Sequence, residues 1–272
     1  MILKQLFRPL YHLVIQMFQM NICKTLYFNF RMLPFLQAIK LPIFLYGKVR
    51  FNGLSGKINI TIPIEKGMIK IGYRWIDLWP TSFLPTQLNI SGNLTFNGSC
   101  IISGGVALII QSKTATCEIG NRCVIGGGST IKSLDTLYIG DYTRITGNCI
   151  VMNSNMHYVK NIETGIIQKT WGSIKIGKRC WINQGTTITK GCVLPDYSIT
   201  ARGSFLNKDY SEYGTNLFLT GSPAKVKNSS VQRIYSLQKE KEISDYFRTH
   251  PNEETYNDGV GLAKEDENEK VF

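Results

Sequence analysis

The chain has 272 residues and a formal charge of +12, long for a single compact core but ordinary for a solenoid, which grows by adding coils. The charge is uneven: no Asp or Glu precedes Glu65, whereas Lys4, Arg8, Lys24, Arg31, Lys40, Lys48, Arg50 and Lys57 all do. That basic arm carries no nucleic-acid-binding motif, so no nucleic-acid partner is expected. The seven cysteines include no CxxC pair, which excludes the usual zinc-finger and redox spacings.

In chain order, residues 1–48 form a basic, apolar N-terminal arm. Leu10 to Cys23 is free of formal charge apart from His12, but at about fourteen residues it is too short to span a bilayer. It does not end in a small-residue cleavage site, so no secretory signal is expected. Leu6, Leu10, Leu13, Val14, Met17 and Phe18 sit at helical spacing, which fits a helix packed on the rest of the chain or one in peripheral contact with an anionic membrane. Pro34 and Pro42 limit the arm to short helices.

From Val49 to Ile71 apolar residues alternate, as in Ile58, Ile60, Ile62 and Ile64, with Gly53, Gly56, Gly67 and Gly72 for turns, and the first strands are expected there. A six-residue beat then dominates. Ile176, Ile182, Ile188, Leu194, Thr200 and Leu206 fall six apart, with Cys180, Thr186, Cys192, Ser198 and Ser204 four places after the first five. Weaker copies run through Ile119, Ile125 and Ile131, through Ile139, Ile145 and Val151, and in another phase through Ile90, Phe96, Ile102 and Leu108. A hexapeptide period is the mark of a parallel β-helix, three short strands to a triangular coil. The fold class is therefore mainly β, a hexapeptide-repeat solenoid over residues 49–227.

Two interruptions stand out. Ile131 and Ile139 are eight apart, so one corner bulges, and residues 153–173 leave the beat as an extruded loop, a place where a rigid stack can present function. After Leu206 the beat ends. Ser229 or Ser230 can cap a C-terminal helix within residues 228–250 that Pro251 stops, and the acidic tail 251–272 reads as disordered. Cys123, Cys149, Cys180 and Cys192 occupy the small-residue slot of the repeat, where cysteine packs as a small hydrophobe. Unpaired packing cysteines point to a reducing, cytoplasmic compartment.

Ile-Gly-Lys-Arg-Cys-Trp-Ile (176–182), Ala-Arg-Gly-Ser (201–204), Asn-Lys-Asp (207–209) and Gly-Ser-Pro-Ala-Lys-Val (221–226) together resemble the hexapeptide-repeat acyltransferases, similar to sugar O-acetyltransferases of the galactoside/maltose and capsule or lipopolysaccharide types. The resemblance implies a left-handed β-helix and a homotrimer in which a neighbour completes each groove. It also implies an acetyl-CoA co-substrate and a sugar or glycan acceptor, with no metal. His157 in the extruded loop matches the family's catalytic histidine, and a neutral imidazole is the usual group for taking the proton of a sugar hydroxyl. Asn153 and Asn155 stand where relatives often place an Asp; Asn155 could orient the ring, and Glu163 could supply a carboxylate.

For the donor, the resemblance implies pantetheine contacts near Gln184, Gly185, Arg202 and Gly203, with Arg202 either reaching a phosphate or narrowing the channel. Asn207, Lys208 and Lys225 match positions at the nucleotide end of coenzyme A, where lysines suit phosphates. Trp181 faces outward if Ile176 and Ile182 face in, covering the donor or shielding the loop. The expected activity is an acetyl-CoA-dependent O-acetyltransferase acting on a sugar hydroxyl in surface polysaccharide or lipopolysaccharide biosynthesis; the alternative is a catalytically silent scaffold that binds a sugar or a protein. A zinc enzyme on this fold would need three converging histidines, and only His157 lies inside the repeats.

Overall fold

The structure is a computed structural model describing residues 19–74 and 84–262. Among these residues the strands form three sheets of nine, seven and six strands, and successive strands as far as Phe205–Leu206 belong to the first, second and third sheet in turn. The result is a left-handed parallel β-helix. The six-residue beat places one inward residue on each face. Ile176 of the third face stacks on Leu194, Ile182 of the first on Thr200, and Ile188 of the second on Leu206, so the same face returns three hexapeptides later. Ile176, Ile182, Ile188 and Leu206 are fully buried, and truncating any one to Ala should cost about 2–5 kcal/mol.

The small-residue slot has a second job besides fitting the corner. Thr143 Oγ1 donates to the Gly177 carbonyl at 2.8 Å, Ser129 Oγ to Thr146 O at 3.0 Å, and Ser198 Oγ to Pro195 O at 2.7 Å. Cys123 Sγ does the same to Gly140 O at 3.1 Å. These side chains are small enough for the corner and satisfy turn carbonyls that the ladders leave open. The corners also explain the Gly that follows Ile119, Ile125, Ile139 and Ile176: a Cβ on Gly140 would lie 2.5 Å from Lys178 N, and one on Gly177 2.5 Å from Asp196 N. Six of the cysteines are buried and unpaired, and only Cys23 is exposed. Burial pushes the thiols of Cys117, Cys123 and Cys192 up to about 12.

The ends differ from the sequence reading. Within the arm, α1 (Ile22–Met32) is capped by the Asn21 side chain accepting from Lys24 N, and Leu33 ends it before Pro34 starts α2 (Phe35–Ala38). The helix expected around Leu6 to Phe18 lies outside the described residues. The first strand, Ile43–Leu45, already pairs with Ile69–Ile71, six residues before the boundary read at 49. Ile62 and Ile64 belong to no strand; the chain turns between Lys57–Ile60 and Ile69–Tyr73. Alternation alone could not separate a strand from an apolar turn.

At the other end, Tyr210 is fully buried over the last coil and donates from its hydroxyl to Ala224 O at 3.0 Å. The first sheet continues past the last beat through Phe218–Gly221 and its antiparallel partner Ala224–Asn228. Residues 229–236 then run along the solenoid rather than forming a helix. The helix α3 (Leu237–Thr249) starts at Ser236, whose side chain caps Lys239 N, not at Ser229 or Ser230. Tyr235 explains the delay: its hydroxyl donates to Arg179 O at 2.8 Å, and the Arg179 and Arg233 guanidinium carbons lie 5.6 and 4.8 Å from its ring. The first part of the tail folds back on α3, with Asp258 2.5 Å from Lys239 and Tyr256 bonded to Glu242 at 2.6 Å; residues 263–272 lie outside the described residues.

Candidate functional site

The extruded loop is a two-limbed finger with a pinned base. Strand Ile150–Met152 of the second face ends at Asn153, which is completely buried. Its amide oxygen accepts from Leu134 N at 2.7 Å, and its amide nitrogen donates to Ser133 Oγ and Thr136 O, both at 3.2 Å. Asn153 thus locks the finger to the bulged corner of the preceding coil. A carboxylate would meet the Thr136 carbonyl without a proton to donate, which is the physical reason for an amide here. Of the two amides considered as partners for His157, Asn153 is therefore turned away into the stack.

Beyond Asn153, Ser154 bridges Trp171 and Lys160 bridges Ile167, both antiparallel, and Asn155 N donates to Thr170 O at 2.9 Å. The tip turns at residues 161–166, closed by Gly165 N to Asn161 O at 2.8 Å. His157 sits on the outgoing limb between the two bridges, held by its N–H to Asn155 O at 2.8 Å. Its side chain is exposed, and among the described residues no hydrogen bond is made to its ring. Asn155 therefore meets His157 through the main chain. Glu163 belongs to the tip turn, its N–H bonded to Asn161 Oδ1 at 3.0 Å, and it does not line the cavity described next.

His157 opens on a cavity of about 490 Å³, within the range of small-molecule sites. Its walls include Asn155, Lys160, Lys169 and Thr170 of the finger and Lys190 from the following coil. Lys190 reaches this place by register: Met152 pairs with Thr189, so the next residue rises over the finger's base. Its ammonium donates to the Lys169 carbonyl, while the Lys169 ammonium lies 3.8 Å from Asp135 and 5.0 Å from the Trp171 ring centre. Sequence reasoning missed all three lysines, because a single lysine, whether in the loop like Lys160 and Lys169 or in the repeat like Lys190, looks like any solvated one.

The residues matched to donor binding fall into three places. Gln184, Gly185, Arg202 and Gly203 share the corner between the first and second faces on successive coils. Gly203 N donates to Gln184 O at 2.9 Å, and the Arg202 guanidinium donates to the Gln184 side-chain oxygen. Both glycines adopt positive φ, +72° at Gly185 and +69° at Gly203, and nothing lies within 4 Å of where a Gly203 Cβ would be. The backbone of this corner is open to a ligand. Asn207 and Lys208 stand across the second face, on the edge from which the finger leaves; the Lys208 ammonium bonds Tyr213 Oη at 3.3 Å and lies 5.3 Å from the Tyr210 ring centre.

Trp181 and Lys225 are on the first face. The inward placing of Ile176 and Ile182 turns Trp181 outward, half-buried, with the Arg233 guanidinium 5.0 Å from its ring. That contact covers part of Trp181 with the chain's own C-terminal segment. Lys225 is exposed in the closing hairpin, paired with Thr220. One copy thus presents the finger on one edge of the second face and the open glycine corner on the other, separated by a strand of three residues, roughly 10 Å.

No protein-family model matches the chain, and no curated protein matches it in sequence. Solved structures do match. The polySia-specific acetyltransferase NeuO is 20% identical with a TM-score of 0.56, covering 76% of this chain and 89% of that one. The polysialic acid O-acetyltransferase OatWY is 15% identical with a TM-score of 0.38, over 73% of this chain and 97% of its own. A variant of AntD, an N-acyltransferase from Bacillus cereus, in complex with dTDP and coenzyme A, is 13% identical with a TM-score of 0.42, over 76% and 89%. The likeness to NeuO shows a shared fold.

Proposed function

We propose that the chain is an acetyl-CoA-dependent O-acetyltransferase acting on a sugar hydroxyl in surface polysaccharide or lipopolysaccharide biosynthesis, with His157 as general base. The observation that carries this reading is an exposed imidazole, on a loop pinned at its base, opening on a cavity of about 490 Å³ in a fold shared with an acetyltransferase. The neutral ring accepts the hydroxyl proton as the acceptor oxygen attacks the thioester carbonyl. The tetrahedral intermediate collapses by breaking the carbon–sulfur bond, and the imidazolium returns the proton to the leaving thiolate. An acetyl ester and free coenzyme A result, with no acyl-enzyme.

The glycine corner fits a thioester tail, since Gly185 and Gly203 offer backbone with no side chain in the way. Arg202, already hydrogen-bonded to Gln184, would position that tail or meet its phosphates, and Asn207, Lys208 and Lys225 would serve the nucleotide end. Because finger and glycine corner lie on opposite edges of one face, we propose a homotrimer in which each His157 works against the corner of a neighbour. Size-exclusion chromatography with light scattering tests this, and a monomer with full activity would refute it.

The decisive assay is thiol release from acetyl-CoA across a panel of nucleotide sugars and oligosaccharides. Acceptor-dependent release is expected, with His157→Ala lowering turnover by about 10²–10⁴ and leaving donor affinity nearly unchanged. A variant with full turnover would exclude the role of His157. Sugar binding without release from any acceptor would favour the silent scaffold.

The arm is proposed to hold the protein at the inner membrane face. Helix α1 buries Phe28 and Met32 on one side yet exposes Ile22, Leu26, Tyr27 and Phe30 on the other, and α2 exposes Phe35 and Leu36. Exposed Arg31 and Lys40 flank this patch, the combination that suits an anionic lipid surface.

A further inference from the structure

We infer that the acceptor is an anionic sugar, bearing a carboxylate or phosphate, recognised by Lys160 and Lys190 in the His157 cavity. This rests on the transferase reading for the word acceptor, but not for the anion. Every formally charged side chain lining the cavity is a lysine; no Asp or Glu lines it. Lys169 is already answered by Asp135 at 3.8 Å. Among the described residues, Lys160 and Lys190 form no ion pair.

Lys190 is not a wandering surface charge. Its ammonium is tethered to the Lys169 carbonyl in the cavity wall, which spends one of its three donors and leaves two for a ligand. It comes from the solenoid, whereas Lys160 comes from the finger at its bridge to Ile167. Two positive charges on opposing segments of one concavity repel each other when it is empty. An anion between them removes that repulsion and gains charge-assisted hydrogen bonds from both ammoniums. A neutral sugar can accept hydrogen bonds from the same ammoniums but leaves their repulsion in place, so the charges favour acid.

The test measures binding by calorimetry and thiol release on the same samples, using sialic acid oligomers against their carboxyl-reduced forms, and a hexose 1-phosphate against the free hexose. At least one acidic member should bind about tenfold more tightly than its neutral counterpart and weaken with added salt. Lys160→Met and Lys190→Met should each lower that preference two- to fivefold, as expected for partly exposed charges, with unaltered melting temperatures. Whichever acidic pair shows the preference identifies the anion as carboxylate or phosphate. Equal binding of acid and neutral forms, or a preference untouched by both substitutions, overturns the inference. Selective binding of acid without thiol release would leave the anion site standing and remove the transferase; release with a neutral sugar alone would do the reverse.

Discussion

Replacing Asn153 by Ala should weaken both the stack and the finger. The substitution strips the Leu134 N–H of its 2.7 Å acceptor and removes two donated bonds of 3.2 Å. An orphaned buried donor costs about 1–3 kcal/mol and each lost bond about 0.5–1.5 kcal/mol. Ser133 Oγ keeps its bonds to Thr116 O and Asp135 O, so its share is at the low end. The total is about 3 kcal/mol, or a fall of roughly 6–12 °C in melting temperature for a domain of this size. Turnover should fall as well, because the limb that carries His157 starts from this anchor and the histidine is only four residues on.

Asn153→Asp separates the hydrogen bonds from mere packing. A carboxylate buried beside the Thr136 carbonyl is held above its ordinary range, near 3.9 in the unfolded chain. With the folded value raised, the acid form's stability is present below the unfolded value and is lost as pH rises through the folded one. The variant should therefore be closest to wild type in acid and fall furthest behind near neutrality. Urea denaturation at pH 4.5 and 7.5 measures this. A loss below about 0.5 kcal/mol for Asn153→Ala, or a pH-independent deficit for Asn153→Asp, would refute the account of the pinned base.

Iodoacetamide at pH 8 should label Cys23 in the folded protein and spare Cys100, Cys117, Cys123, Cys149, Cys180 and Cys192 until denaturant is added, as read by peptide mass spectrometry. Because burial holds Cys117, Cys123 and Cys192 at about 12 against an ordinary 9.0, their contribution to stability is whole below pH 9 and declines as pH rises towards 12; a denaturation midpoint constant from pH 8 to 11 would contradict this. Tyr235→Phe should cost about 1 kcal/mol through the lost bond to Arg179 O and increase protease cleavage within residues 229–236. Leu26→Glu with Phe30→Glu should reduce co-sedimentation with anionic vesicles at least fivefold while leaving thiol release in solution intact; unchanged sedimentation would remove the membrane proposal.

The solenoid was legible in the sequence because its physics is local and periodic. Inward Ile or Leu every six residues and a small corner residue four later each leave a mark at a fixed spacing, and the extruded loop shows as the place where the spacing fails. His157 stands inside that break, but its proposed role came from the resemblance to the acyltransferases and not from the spacing. Asn153, by contrast, looked like a weakened histidine partner, since nothing in the chain order reveals that residues 133–136 lie beneath it. Lys160, Lys169 and Lys190 were invisible as a set, and the capping of the C-terminal helix was read six or seven residues early because Arg179 lies far from Tyr235 in sequence. The repeat dictated that residues three hexapeptides apart would stack, but which polar groups meet at the finger depends on the register between coils and on an insertion folding back, and only the tertiary structure decided those.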